Sequence, residues 1–122
     1  MHSRDVDKLL GPLESEVMQV MWRRHKTVTP RQMLETLNER RDHPLAYTTV
    51  MTVMSRLAEK GILARSPARR GYAYEAVMGD AAAIAVRDVV RDYGEQAVAH
   101  FLTEARADPK LRRRLERLLE ES

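Results

Sequence analysis

Between Pro12 and Val77 the apolar residues change their period once, and that change constrains the fold more than any other feature of the chain. Three segments carry stripes with helical spacing. Leu13, Val17, Val20 and Met21 recur at i, i+4, i+7 and i+8, then come Met33, Leu34 and Leu37, then Val50, Val53, Met54 and Leu57. Such spacing lines side chains along one face of an α-helix. After Gly61 the pattern gives way to two short strand candidates, residues 62–66 and 72–77, in the second of which Tyr72 and Tyr74 alternate with Ala73. Pro67-Ala68-Arg69-Arg70-Gly71 between them reads as the turn of a hairpin with an arginine-bearing tip.

Local signals set the boundaries. Gly11-Pro12 supplies a break and a residue suited to the first helical position, and Glu14 and Glu16 favour the positive end of a helix Pro12–Arg24 that Trp22 extends. Thr29-Pro30-Arg31-Gln32 reads as a capping box for a second helix, which fades into a polar loop at residues 40–44. The third helix, residues 47–60, closes on Gly61 in the C-terminal cap position, although neither Ala46 nor Tyr47 caps its start well. Beyond Gly79 the composition shifts to helix formers. Asp80 is placed to cap a helix ending at Tyr93, with Val86, Val89, Val90 and Tyr93 on one stripe, and Gly94 breaks it. Residues 95–105 carry Val98, Phe101, Leu102 and Ala105 on one face. Asp108-Pro109 then starts a last helix whose Leu111, Leu115, Leu118 and Leu119 form a seam between arginines and glutamates. The expected class is mainly α with a small β-hairpin, divided into residues 1–78 and 79–122.

A chain of 122 residues suits one compact domain or a small domain with an appendage. With no cysteine it has no disulfide, no thiolate metal site and no thiol nucleophile. The longest apolar run, residues 81–86, is far below the ~20 residues that span a bilayer. Residues 1–7 are polar and no apolar stretch of a signal peptide follows, which predicts a soluble, cytoplasmic protein without membrane insertion. The net charge is only +3, but residues 1–76 hold 13 Lys and Arg against 9 Asp and Glu, whereas residues 77–122 hold 8 against 9. In residues 47–70, Arg56, Lys60, Arg65, Arg69 and Arg70 are opposed only by Glu59. A polyanion-binding face needs that kind of concentration.

Three helices followed by a two-stranded hairpin is the order of a winged helix-turn-helix, whose third helix lies in a DNA major groove. On that helix Thr48, Thr49, Thr52, Ser55, Arg56 and Glu59 lie opposite the apolar stripe. Short hydroxyl side chains allow close approach to base edges, and Arg56 can reach guanine or phosphate. Arg69 and Arg70 at the wing tip would meet phosphate or a minor groove. Threonine-rich helix faces also occur without any function, but the hairpin and the charge asymmetry beside this one favour duplex DNA as its partner. Other chemistry is thin. His2, His25, His43 and His100 lack metal-ligand spacing, and His100 reads as a half-buried helix residue. Glu14 and Glu16 are two apart and point to different helix faces. There is no glycine-rich phosphate loop, and Glu116, Glu120 and Glu121 intersperse Arg112, Arg113, Arg114 and Arg117 as on a solvated face. No enzyme, metal or cofactor is expected.

Three segments carry a family resemblance: LGPLESEVMQVMW at residues 10–22, AYTTVMTVMSRLAEKGIL at residues 46–63 and RRGYAYEAV at residues 69–77. They resemble the penicillinase and methicillin-resistance repressors, a family that also includes copper-responsive repressors. The resemblance implies a homodimeric transcriptional repressor reading a pseudo-palindromic operator of β-lactamase or cell-wall-stress genes, with C-terminal helices intertwined between subunits. Carried over by position, Thr48, Thr49, Thr52 and Arg56 become recognition contacts and Arg69 and Arg70 wing contacts. It also implies release through a membrane sensor-protease pathway that cuts the dimerisation region, commonly at an Asn-Phe bond. Here the counterpart is His100-Phe101, without the asparagine. The copper-responsive branch uses C-terminal cysteines, which argues against copper sensing in a chain that has none.

Val90, Phe101, Leu102, Leu111, Leu115, Leu118 and Leu119 are the expected dimerisation residues, since three short amphipathic helices have little core to share without a partner. The rival reading is a protein-interaction adaptor that uses the same fold without specific DNA binding.

Overall fold

Pro12 opens the first helix of the computed structural model, which describes residues 10–122. The polar stretch at residues 1–7, His2 included, lies outside the described residues. In α1 (Pro12–Arg24) the preceding Gly11 is extended, and its backbone N–H donates to Glu14 Oε1 at 3.4 Å. The helix buries Val17, Met18, Val20 and Met21 and ends on His25, left-handed at φ 53°, whose N–H donates to Met21 O. α2 (Pro30–Asn38) has the reciprocal cap that its sequence signals. Gln32 N donates to Thr29 Oγ1 at 3.2 Å, and Thr29 N to Gln32 Oε1 at 2.9 Å. α3 (Tyr47–Glu59) starts without a side-chain cap and is followed by Lys60 and by Gly61 at φ 75°.

The hairpin is longer than its periodicity suggested. β1 (Leu63–Ala68) pairs antiparallel with β2 (Gly71–Ala76) from Leu63 opposite Ala76 to Ala68 opposite Gly71. Pro67 and Ala68 therefore belong to the ladder, and only Arg69 and Arg70 form the turn. Neither arginine has a positive φ; Gly71, at φ 128°, brings the chain back into the second strand. Pro67 is tolerated because β1 pairs on one side only. A further bridge joins the α1–α2 loop to the hairpin. Val28 N donates to Tyr74 O at 2.8 Å and Tyr74 N to Val28 O at 2.9 Å.

These elements close over one core that includes Val17, Met18, Met21, Val28, Met33, Val50, Met54, Leu57, Leu63 and Tyr74. Trp22 packs on its edge and donates Nε1–H to Met78 O at 2.7 Å. Ala81 and Ile84, in the first turn of α4 (Ala81–Tyr93), also belong to it. The chain consequently divides after Ile84, inside α4, rather than at residues 78/79 where the composition shifts. Asp80 does cap α4, its Oδ1 accepting from Ala83 N at 3.0 Å.

The second unit, residues 85–122, holds the rest of α4, α5 (Glu95–Ala107) and α6 (Pro109–Glu121). Gly94 turns the chain between α4 and α5 at φ 56°. Asp108 caps α6 by accepting from Lys110 N and Leu111 N at 2.9 and 3.4 Å. α5 runs a turn fragment beyond residue 105, and its His100 is exposed, not half-buried. Among the described residues no helix is long and apolar enough to cross a membrane. The architecture is a winged helix-turn-helix followed by C-terminal helices.

Met54 has no exposed surface, whereas Met51, one turn away, is 43% exposed. Met54→Ala should cost about 2–5 kcal/mol of unfolding free energy, and Met51→Ala less than about 0.5 kcal/mol. Denaturant midpoints of the two variants check this; equal losses would contradict the orientation of α3.

Candidate nucleic-acid interface

α3 is aimed by what it buries. Val50, Val53, Met54 and Leu57 sit in the core, so helical geometry turns Thr48, Thr49, Thr52 and Arg56 to solvent, where all four are exposed. Ser55 is half-buried, a short side chain between those of Met51 and Glu59 one turn to either side. Met51 belongs to this exposed surface as well, and the alternation of polar and apolar residues gave no sign of it. The Thr52 hydroxyl donates to Thr48 O at 2.9 Å. Its proton is thereby committed, and the group presents lone pairs and a methyl outward. Short hydroxyls, a thioether and one guanidinium make a surface that can enter a groove without steric obstruction.

The start of α3 is held by its neighbours. With no cap at Ala46, the first turn closes through Thr49 N and Val50 N donating to Ala46 O at 3.1 and 3.3 Å. Asn38, the last residue of α2, clamps the loop ahead of it: Leu45 N donates to Asn38 Oδ1 at 2.9 Å, and Asn38 Nδ2 to Leu45 O at 3.3 Å. The Arg31 guanidinium lies 4.9 Å from the centre of the Tyr47 ring, joining the N-terminal turns of the two helices. Asn38 and Arg31 are positioning residues that no periodicity identifies, because their partners lie across a turn.

Charge is distributed more narrowly than a count over residues 47–70 suggests. Lys60 Nζ is 2.8 Å from Glu14 Oε2, so one of its cations is answered from α1. Arg41 is paired with Glu16 at 2.6 Å. Glu14 and Glu16 thus brace α1 against the end of α3 and the α2–α3 loop. Arg65 stacks over Tyr72 on the hairpin with its guanidinium 4.5 Å from the ring centre. Arg56, Arg69 and Arg70 are exposed and contact no carboxylate among the described residues. Within residues 47–70, the cations that meet no carboxylate among the described residues are therefore Arg56 on α3 and Arg65, Arg69 and Arg70 on the hairpin. Among the described residues no three His, Asp or Glu side chains gather as a metal site.

The second unit has a surface of another kind. Val90, Phe101, Leu102, Leu111, Leu118 and Leu119 are all exposed, Phe101 by 60% and Leu119 by 66%, while Leu115 is half-buried. Val86, Val89, Val90, Val98 and Phe101 line an open cleft of about 380 Å³ between α4 and α5, with almost no polar surface.

Comparison with known proteins places this geometry in a family. The penicillinase repressor model matches residues 10–121. The transcriptional regulator BlaI from two strains of Mycobacterium tuberculosis is 40% identical over 106 residues, covering 81% of this chain and 75% of the relative. Among solved structures, the complexes of hsRosR-S1 and hsRosR-S4 superpose with TM-scores of 0.53 and 0.54 at 18% and 16% identity. Each match covers 98% of this chain, and 93% and 95% of theirs. At that identity they show a shared winged-helix fold.

Proposed function

As this chain belongs to the penicillinase repressor family, a family of DNA-binding transcriptional repressors and not of enzymes, we propose that it works as a homodimer on a two-fold operator. In this reading the first unit binds DNA and the second, residues 85–122, holds the dimer. Thr48, Thr49, Thr52, Ser55 and Arg56 face base edges in the major groove, and Arg69 and Arg70 hold the sugar-phosphate backbone. The observation that carries the DNA-binding half is the exposed face of α3, free of carboxylates from Tyr47 to Ala58 and backed by a buried stripe. Two such helices related by two-fold symmetry would meet half-sites ~34 Å apart, one helical turn of DNA.

Support for the dimer comes from how little the second unit buries. Ala105 is its only buried residue, while ten of its large apolar side chains are exposed. Apolar surface on that scale marks an interaction site, and a second copy of the same helices is the occupant that covers it symmetrically.

Induction, in the same reading, follows cleavage between His100 and Phe101 through a membrane sensor-protease pathway, detaching α6 and the second half of α5 from the DNA-binding half. The bond lies within α5, so the helix must open locally before a protease can accept it.

Three measurements test the proposal. Arg56→Ala and Thr49→Ala should each cost roughly 1–3 kcal/mol on operator DNA and much less on random duplex. The double substitution Arg69→Ala with Arg70→Ala should weaken both and lower the salt slope by about one to two units. Titrations of both duplexes across salt concentrations separate the roles, and equal losses on both DNAs for Arg56→Ala would remove it from base reading. Leu115→Asp sets a carboxylate into the leucine seam, where an unpaired charge is costly to bury. Sedimentation should find the dimer weakened while much of the far-UV helicity persists; an unaltered dimer would refute the seam. Finally, mass spectrometry of induced cells should find a fragment ending at His100, and intact protein throughout induction would exclude cleavage there.

A further inference from the structure

α6 carries its charge backwards. Lys110, Arg112, Arg113 and Arg114 occupy its N-terminal half, and Glu120 and Glu121 its last turn; the first turn has no acid and the last no base. A helix N-terminus is the positive end of the backbone dipole, so this polarity opposes it at both ends. The i, i+4 pairs Arg112–Glu116 and Arg117–Glu121 also run in the less favourable order, cation before anion. None of these side chains enters an ion pair within the described residues. Among the described residues the Asp108 carboxylate at the N-cap offsets part of the N-terminal end and no base answers Glu120 and Glu121, while the helix presents Leu111, Leu118 and Leu119 to solvent.

We propose that α6 pairs with α6 of a second copy in antiparallel orientation, Leu115 of each packing beside Leu118 of the partner subunit and Arg114 facing Glu121 of the partner subunit. The inference rests on the dimer proposed above and adds its direction and register. Arg114 and Glu121 are seven residues apart, two helical turns, and so border the leucine stripe on the same side. When Leu115 of one helix lies beside Leu118 of an antiparallel partner, the position immediately before Leu115 and the position one turn after Leu118 fall together. These are Arg114 and Glu121, and two-fold symmetry makes the pair twice. A parallel pairing would set the cationic half against its own copy, which is repulsive. Antiparallel pairing also lays the two helix dipoles head to tail.

A charge-swap cycle on the full-length chain tests this by sedimentation over a range of concentrations. Arg114→Glu and Glu121→Arg should each raise the dimer dissociation constant by about tenfold, since each turns two attractions into two repulsions. The combined variant should return to within about threefold of the parent. Glu121→Arg puts a cation at the helix C-terminus, where the dipole favours it, so unchanged or higher far-UV helicity beside a weaker dimer excludes a folding defect. Single variants that dimerise as well as the parent, or a combined variant as weak as the sum of its parts, would overturn the antiparallel pairing while leaving the dimer standing. A parent chain that remains monomeric at every concentration would overturn both.

Discussion

The exposed face of α3 depends on the four side chains the helix buries. Its start has no side-chain cap, an interaction worth about 1 kcal/mol where present. Its end is tied to α1 by the Lys60–Glu14 ion pair, and a partly exposed pair of this kind contributes at most about 1 kcal/mol. Burial of Val50, Val53, Met54 and Leu57 contributes roughly 1.5–3 kcal/mol for each large side chain. Packing therefore decides where the helix lies, and the polar contacts trim its ends. The surfaces that receive those side chains are themselves pinned, α1 through Trp22 and Met78, and the hairpin through the bridge between Val28 and Tyr74. Thr48, Thr49, Thr52 and Arg56 need no partners of their own to be held in place, which leaves their hydrogen-bonding capacity for an external ligand, apart from the proton that Thr52 gives to its own helix.

Much of this was legible because it is local. A stripe at i, i+3 and i+4, a Thr-Pro-x-Gln cap, and Asp80 and Asp108 ahead of their helices all act within a turn or two of chain, and each helix follows its signal. What was not legible involves partners far apart in sequence. Pro67 and Ala68 look like turn residues, and only pairing with Tyr72 and Gly71 makes them strand. Val28 lies in a loop until Tyr74 comes alongside. Lys60 counts as a free cation until Glu14, 46 positions earlier, neutralises it. The division after Ile84 escaped for the same reason, because composition changes at Gly79 but the first turn of α4 is drawn into a core built by other helices. At the candidate interface the types of residue were readable, whereas Asn38 and Arg31 take their positions from contacts across a turn.

The two units stand in opposite relation to water. The first encloses a contiguous core from helices and hairpin, and among its described residues the exposed large apolar ones are few: Met51, Tyr72 and Val77. In the second, Ala105 alone is buried, in a stretch with Phe101, Leu119 and eight other large apolar groups exposed. Three short helices of this kind bury too little surface to offset the entropy of ordering them. In the proposed dimer, ordering the C-terminal helices and associating two copies become a single equilibrium, and the stability of that region depends on protein concentration.

In the same proposal, linkage couples this equilibrium to DNA. An operator with two half-sites binds the dimer more tightly than it binds one DNA-binding unit, so it must favour association by the same factor by which association favours binding. The coupling requires no change of shape in α3 or the hairpin. It explains why a repressor of this build gains from keeping its reading surface within a self-sufficient core and its association surface outside any core. In that proposal, damage to the second, by cleavage in α5 or by a charge in the leucine seam, would release the operator while leaving Thr49, Arg56 and the wing arginines as they were. In the proposed dimer the first unit would supply chemical specificity, and the marginal second unit would set how much of it is available at a given concentration.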